Sequence, residues 1–249
     1  MKRHILNIFC GIVCTAILWS LLGCSNGNEV NSVSGYYVAK YPNSNGQETI
    51  DYIADFKSVP GKVATFDADN GKPTKKLMDY VPYTVSGDAI TFQNVTKFDP
   101  VSNKAGKTFH GCYDARVNTL YLPDAVLGYT DESIQSGNKF VPINENLFEK
   151  VVKSTYYVSS VSLDGERGQF EIQCDTTAKT VTVTFDPYSS SGTTKKIISS
   201  APYEATGVGI SITGPQASTV KLEWYYSSSS TNVGNYIKLT HKGVEYRSY

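Results

Sequence analysis

Two imidazoles, two thiols and scattered carboxylates are what the body of this chain offers for covalent or acid–base chemistry. His110 and Cys112 have the spacing of a thiolate–imidazole pair, but residues two apart on any strand share a face without chemistry. No Gly-x-Ser-x-Gly elbow exists, and Gly209-Ile210-Ser211-Ile212-Thr213-Gly214 misses it by one residue. His110 and His241, without a cysteine cluster, fall short of the roughly three or four ligands of a transition-metal site, so no metal and no cofactor is expected. Asp67-Ala68-Asp69-Asn70-Gly71 opens like an oxygen-rich calcium loop, yet Met78 stands where the closing acid belongs. It reads instead as a turn from strand into helix. The doublets Lys75-Lys76 and Lys195-Lys196 read as exposed charge in the first turns of two helices. Nothing marks a carboxylate pair for glycoside hydrolysis, and the chain is not read as an enzyme.

Aromatic residues carry the best handle for binding. Trp224-Tyr225-Tyr226 runs into the polar stretch Ser227-Ser228-Ser229-Ser230-Thr231. Trp and Tyr faces stack on sugars or apolar ligands while their polar edges hydrogen-bond. Trp224 and Tyr226 are therefore the expected ligand contacts, against the alternative that Trp224 is core. Cys112 and Cys174 are candidates for a disulfide if the chain is exported, with two unpaired thiols as the other reading. Phe170, Ile172 and Cys174 alternate, which turns Cys174 toward a core.

One thiol is different. Lys2 and Arg3 precede an apolar run over residues 8–22 that ends in Leu21-Leu22-Gly23-Cys24. A basic start, an apolar stretch of export-signal length and a small residue before Cys describe a cleaved leader whose new first residue takes lipid. Gly11, Thr15 and Ser20 interrupt the run, which falls short of the roughly 20 apolar residues a spanning helix needs. Residues 1–23 are thus expected to be a signal peptide, and residues 24–34, polar and small, a flexible tether.

The elements that hold these residues are strands, and they come twice. Tyr36-Tyr37-Val38 recurs as Tyr156-Tyr157-Val158, Thr65-Phe66-Asp67 as Thr184-Phe185-Asp186, Thr74-Lys75-Lys76 as Thr194-Lys195-Lys196, and Pro82-Tyr83 as Pro202-Tyr203. Order and spacing are kept, which indicates a duplicated unit. Each copy opens with a hairpin and a third strand, a meander. Next come Leu77, Met78 and Val81, or Ile197, Ile198 and Ala201, spaced like one face of a short helix ending before Pro82 or Pro202. Further strands follow at residues 89–92, 107–113 and 119–122, then 209–212, 219–226, 235–240 and 244–249. Residues 146–152 read as a helical turn capped by Asn146.

Strands such as Val181-Thr182-Val183-Thr184-Phe185 alternate apolar and polar residues, so one face is wet and the sheets are antiparallel. The expected fold is mainly β: two similar units, each a sandwich or barrel with one short helix. The units are expected at residues 35–150 and 151–249, with a single pseudo-symmetric sandwich or barrel as the alternative. Lys plus Arg and Asp plus Glu both number 23. Without a basic stripe, nucleic acid is not a partner.

Leu21-Leu22-Gly23-Cys24 resembles the bacterial lipobox. With the polar tether and the Tyr-rich body opening at Gly35-Tyr36-Tyr37, the chain resembles outer-membrane lipoproteins of Bacteroidetes-type bacteria, some built on lipocalin-like barrels. The second copy has Ser154-Thr155-Tyr156 and lacks the glycine. The resemblance implies a mature chain starting at Cys24, carrying lipid with palmitate among its acyl chains and anchored in the cell envelope at the outer membrane. It implies a non-catalytic protein binding a glycan, a peptide or a small apolar ligand. A structural or adhesive surface component is the alternative, and a hydrolase with an unmarked carboxylate pair comes third.

Overall fold

The structure is a computed structural model that describes residues 33–101, 105–128, 137–228 and 230–248. Residues 1–32, which hold the expected leader, Cys24 and most of the expected tether, lie outside the described residues. The body is two antiparallel β units, divided between Glu145 and Asn146, five residues before the boundary expected from sequence.

The first unit is a closed barrel in which every strand pairs with its chain neighbour: β1 (Tyr36–Pro42), β2 (Glu48–Asp55), β3 (Lys62–Asp69), β4 (Lys72–Ser86), β5 (Ala89–Val95), β6 (Lys107–Asp114), β7 (Thr119–Pro123) and β8 (Gly137–Ile143). β8 closes the ring on β1, with Tyr36, Tyr37 and Val38 opposite Ile143, Pro142 and Val141. Large side chains fill the interior, among them Tyr37, Phe56, Met78, Ile90, Phe92, Leu120, Leu122 and Phe140. A short 3-10 turn, Asp124–Leu127, adds Val126 and Leu127 to this core, and Thr65 Oγ1 donates to the Val126 carbonyl.

The second unit repeats the order with β9 (Thr155–Leu163), β10 (Glu166–Asp175), β11 (Thr180–Pro187), β12 (Lys195–Ala205), β13 (Gly209–Ile212), β14 (Val220–Tyr225), β15 (Tyr236–His241) and β16 (Val244–Arg247). Its interior is lined by Tyr156, Val158, Phe170, Ile172, Val183, Phe185, Leu222, Trp224 and Leu239, all buried. A 3-10 turn, Leu147–Val151, precedes it, and the Asn146 side chain accepts from Phe148 N at 3.2 Å as its cap. Each unit thus carries one short helical turn. The turn at Leu147–Val151, capped by Asn146, lies where the sequence pattern put one, whereas the helices expected before Pro82 and Pro202 are absent from those places.

The stripes read as helices are strand. Met78 and Val81 lie opposite Thr65 and Val63, Ile198 and Ala201 opposite Val183 and Val181. Each place is a β-bulge, where one extra residue separates two inward positions and turns strand spacing into helix-like spacing. Pro82 and Pro202 sit at the end of pairing with the preceding strand, one residue before pairing passes to the next one. A residue without N–H fits such a corner.

Repeated turns confirm the likeness of the two units. Asp55 Oδ1 accepts from Lys57 N and Ser58 N, both at 2.9 Å, and Asp175 Oδ1 accepts from Thr177 N at 2.9 Å and Ala178 N at 2.8 Å. After each turn Tyr83 N or Tyr203 N donates to a residue of positive φ, Gly61 or Lys179. The first of these turns is longer, which slides the register. As a result the aligned Phe66 and Phe185 take opposite roles: Phe66 lies on the other face of β3 from inward Val63, whereas Phe185 shares the inward face of β11 with Val183.

Asn70-Gly71, read as part of a turn from strand into helix, is a two-residue hairpin between β3 and β4. Both residues have positive φ, 49° and 77°, as a type I′ turn requires.

Candidate functional site

The two units differ at the seam. In the first, β1 and β8 are joined by a backbone ladder, but in the second, β9 and β16 stand at opposite ends of the sheet order, with no strand pairing between them among the described residues. They face each other across a cleft of about 460 Å³ lined by Ser159, Ser160, Val161, Ser162, Glu245, Tyr246 and Arg247. Among the described residues, two side-chain contacts cross it. Tyr246 Oη donates to the Ser162 carbonyl at 3.3 Å, and Lys242 Nζ lies 3.2 Å from Asp164 Oδ1 at one end.

Local sequence keeps the seam open. In β9, Ser159 and Ser160 together oppose Gln169, between the pairs Val158–Phe170 and Val161–Gly168, and Ser160 has φ of 57°. This bulge bends the edge away from a straight ladder. The Ser160 N–H donates to Tyr188 Oη at 2.9 Å, a bond that holds the Tyr188 phenol below its ordinary pKa, aided by Arg167. Gly168 lies so near β11 that a Cβ there would stand 2.3 Å from the Asp186 carbonyl oxygen. On the other bank the Tyr246 ring packs on Phe170, centroids 4.9 Å apart, which anchors β16 to the interior.

The charges of the cleft are ordered. Glu245 meets Lys238 at 3.2 Å and Arg247 at 3.6 Å, and the Arg247 guanidinium lies 5.1 Å from the Tyr225 ring centre. Lys238 also reaches Glu223 at 2.9 Å. Burial pulls the Lys238 pKa down, but its two carboxylate partners outweigh burial and leave it raised. Burial likewise pushes Glu223 up, and Lys221 and Lys238 outweigh it. Around the cleft lie three of the five large hydrophobic side chains that are exposed among the described residues: Tyr157, Tyr188 and Val244.

The residues singled out by sequence lie elsewhere. Trp224 is 4% exposed; its indole N–H donates to the Thr206 carbonyl at 2.8 Å and its ring lies 6.4 Å from that of Tyr156. The expectation of an exposed Trp224 platform is therefore corrected: alternation along β14 turns this ring inward with Leu222. Tyr226, one residue past β14, is half-buried. No disulfide joins Cys112 to Cys174, which corrects the candidate bridge. Cys174 faces the interior of the second unit near Tyr156 and Tyr203, and burial pushes its thiol up to about 12. Cys112 belongs to β6 of the first unit and is half-exposed.

The imidazoles do not meet each other. His110 is exposed and pairs with Thr91 at 3.1 Å, and buried His241 is 2.9 Å from the Thr219 carbonyl through Nδ1. Among the described residues no group of three His, Cys, Asp or Glu side chains is placed to hold a metal ion. Lys76, expected at the surface, is buried. Its ammonium sits 3.0 Å from the exposed Asp79 carboxylate and over the rings of Tyr80 and Phe98, so the buried stem carries its charge to a partner at the surface.

Sequence reasoning missed the cleft because its banks lie more than eighty residues apart. The one local sign was the pair Ser159-Ser160 inside an otherwise alternating strand, where two polar residues in a row break the period. No protein-family model, curated protein or solved structure matches the chain.

Proposed function

We propose that the protein is a lipid-anchored component of the cell envelope, held at the outer membrane through Cys24, whose second barrel binds a polar ligand without catalysis. The observation that carries the binding reading is the seam: Ser159, Ser160 and Ser162 on one bank and Glu245, Tyr246 and Arg247 on the other line one cleft. Such a mixture of short donors, opposite charges and an aromatic ring suits a glycan or a peptide better than a small apolar ligand. Anchoring rests on the leader and the Leu21-Leu22-Gly23-Cys24 motif.

A glycan array probed with the labelled protein tests binding, wild type against a Glu245→Ala/Arg247→Ala double variant. Both residues belong to a short strand whose side chains are about half exposed, so the variant keeps the core. A wild-type signal that the variant loses supports the proposal. A signal equal in the two contradicts it.

A further inference from the structure

We infer that the cleft of the second barrel selects a glycan that carries carboxylate groups, a uronic acid, and that Arg247 is the residue that takes the carboxylate. This rests on the reading of the cleft as a binding site and names the class of its ligand.

Charge and register carry the inference. Glu223 lies opposite Lys238 on β14 and β15, and Lys238 opposite Arg247 on β15 and β16, so the three stand in one row on one face of the sheet. The ion pairs along this row join three cations, Lys221, Lys238 and Arg247, to two carboxylates, Glu223 and Glu245. One positive charge is left over. It falls on Arg247. Glu223 is held by Lys221 at 2.7 Å and by Lys238 at 2.9 Å, and Glu245 by Lys238 at 3.2 Å, whereas Arg247 meets Glu245 at 3.6 Å, beyond hydrogen-bond range. Its donors therefore stay open to a ligand, and it stands on the bank of the cleft. The opposite bank adds a second cation: Arg167 is exposed, lies opposite Ser162 on β10 and makes no ion pair with a described residue. Lys242 and Asp164, at one end of the cleft, cancel each other.

A carboxylate fits this arrangement in shape as well as in sign. A guanidinium presents parallel N–H groups that a carboxylate accepts two at a time, and the Tyr225 ring, its centre 5.1 Å away, steadies the Arg247 group. Ser159 and Ser162 line the facing bank with hydroxyls that donate and accept, as the hydroxyls of a sugar do. An acidic peptide brings the same charge, but its backbone gains affinity along a regular strand edge, which the Ser160 bulge, its N–H already given to Tyr188, interrupts. Glu245 is the competitor within the site. It faces Arg247 and repels an incoming carboxylate, so its removal strengthens binding while removal of Arg247 weakens it.

The test is a glycan array printed with oligosaccharides that contain uronic acids, each beside its carboxyl-reduced form, in which a hydroxymethyl group replaces the carboxylate, and with a hexaglutamate peptide. Wild type, Arg247→Gln and Glu245→Gln are compared on it as intact chains. The expected result is binding of uronic-acid spots by wild type, weakened at least about tenfold by carboxyl reduction. Arg247→Gln should lose this preference, and Glu245→Gln should strengthen uronate binding about two- to fivefold. Damage to the fold would weaken both variants alike, so the opposite signs separate charge from structure. Absence of uronate binding, equal binding of the reduced forms, weaker binding by Glu245→Gln, or a stronger signal from hexaglutamate overturns the acidic-glycan class. If neutral spots bind instead and lose their signal in the Glu245→Ala/Arg247→Ala double variant, the cleft remains a ligand site and only the acidic class is lost. If no glycan signal depends on the double variant, both readings fall.

Discussion

Replacing Trp224 by alanine should unfold the second barrel selectively. The ring is 4% exposed, so its removal leaves a cavity in a packed interior, which costs about 3 to 5 kcal/mol for a buried Trp. The substitution also leaves the Thr206 carbonyl without its 2.8 Å indole partner, a further penalty of roughly 1 kcal/mol if water does not reach it. A unit of about 100 residues has a stability of roughly 5 to 15 kcal/mol, so a loss near 5 removes a third or more of it. With a urea slope of about 1 to 2 kcal/mol/M for a unit of this size, the midpoint should fall by at least about 2 M. The assay is urea denaturation followed by circular dichroism. The first barrel's transition should stay where it is, because Trp224 belongs to the second unit. Trp224→Phe, which keeps most of the ring and loses the N–H, should lie between wild type and Trp224→Ala. A Trp224→Ala protein within about 1 kcal/mol of wild type would refute the enclosed ring and return Trp224 to the surface.

Cys24→Ser should move the protein from the membrane fraction to the soluble fraction with its circular dichroism unchanged; retention in the membrane would contradict lipid anchoring. A thiol reagent at pH 8 should label Cys112 and spare Cys174 until the second barrel is unfolded, because Cys174 is buried and its thiol is pushed up to about 12. Burial also raises Tyr156, and Tyr203 to about 12, against ordinary values near 10, while Cys174 starts from 9. All three favour the neutral form in the fold. Their contribution to stability is therefore complete below pH 9 and is lost as the pH rises from there toward 12, and a urea midpoint of the second barrel that does not fall over this range would count against their burial.

The alternation of Val181, Val183 and Phe185, or of Leu222 and Trp224, made the strands legible, because inward residues repeat every second position wherever the ladder is regular. The repeat was legible too, since whole strings such as Thr-Lys-Lys and Pro-Tyr recur in order. What misled was the bulge. Met78 and Val81 are both inward at a spacing of three because one extra residue lies between them, and sequence cannot tell this from a helical turn. Pro142 concealed β8, since proline argues against a strand that closes a sheet, yet its missing N–H is tolerated opposite Tyr37. Asn70-Gly71 did carry the hairpin signal, which the surrounding acids obscured. The cleft had no such signal: Ser159 to Ser162 and Glu245 to Arg247 meet only because the sheet curls, and whether two edges join or stay apart depends on register along the whole sheet.

Amide hydrogen exchange across the two seams distinguishes an open second barrel from a closed one. The account predicts slow exchange in the closed first barrel for the amides of β1 and β8 that pair across its seam, and fast exchange for amides of β9 and β16 directed into the cleft, with Ser160 slower than its neighbours through its bond to Tyr188. Equal protection of the two seams would mean that the second barrel is closed by a backbone ladder, and would contradict the open cleft and the ligand site built on it.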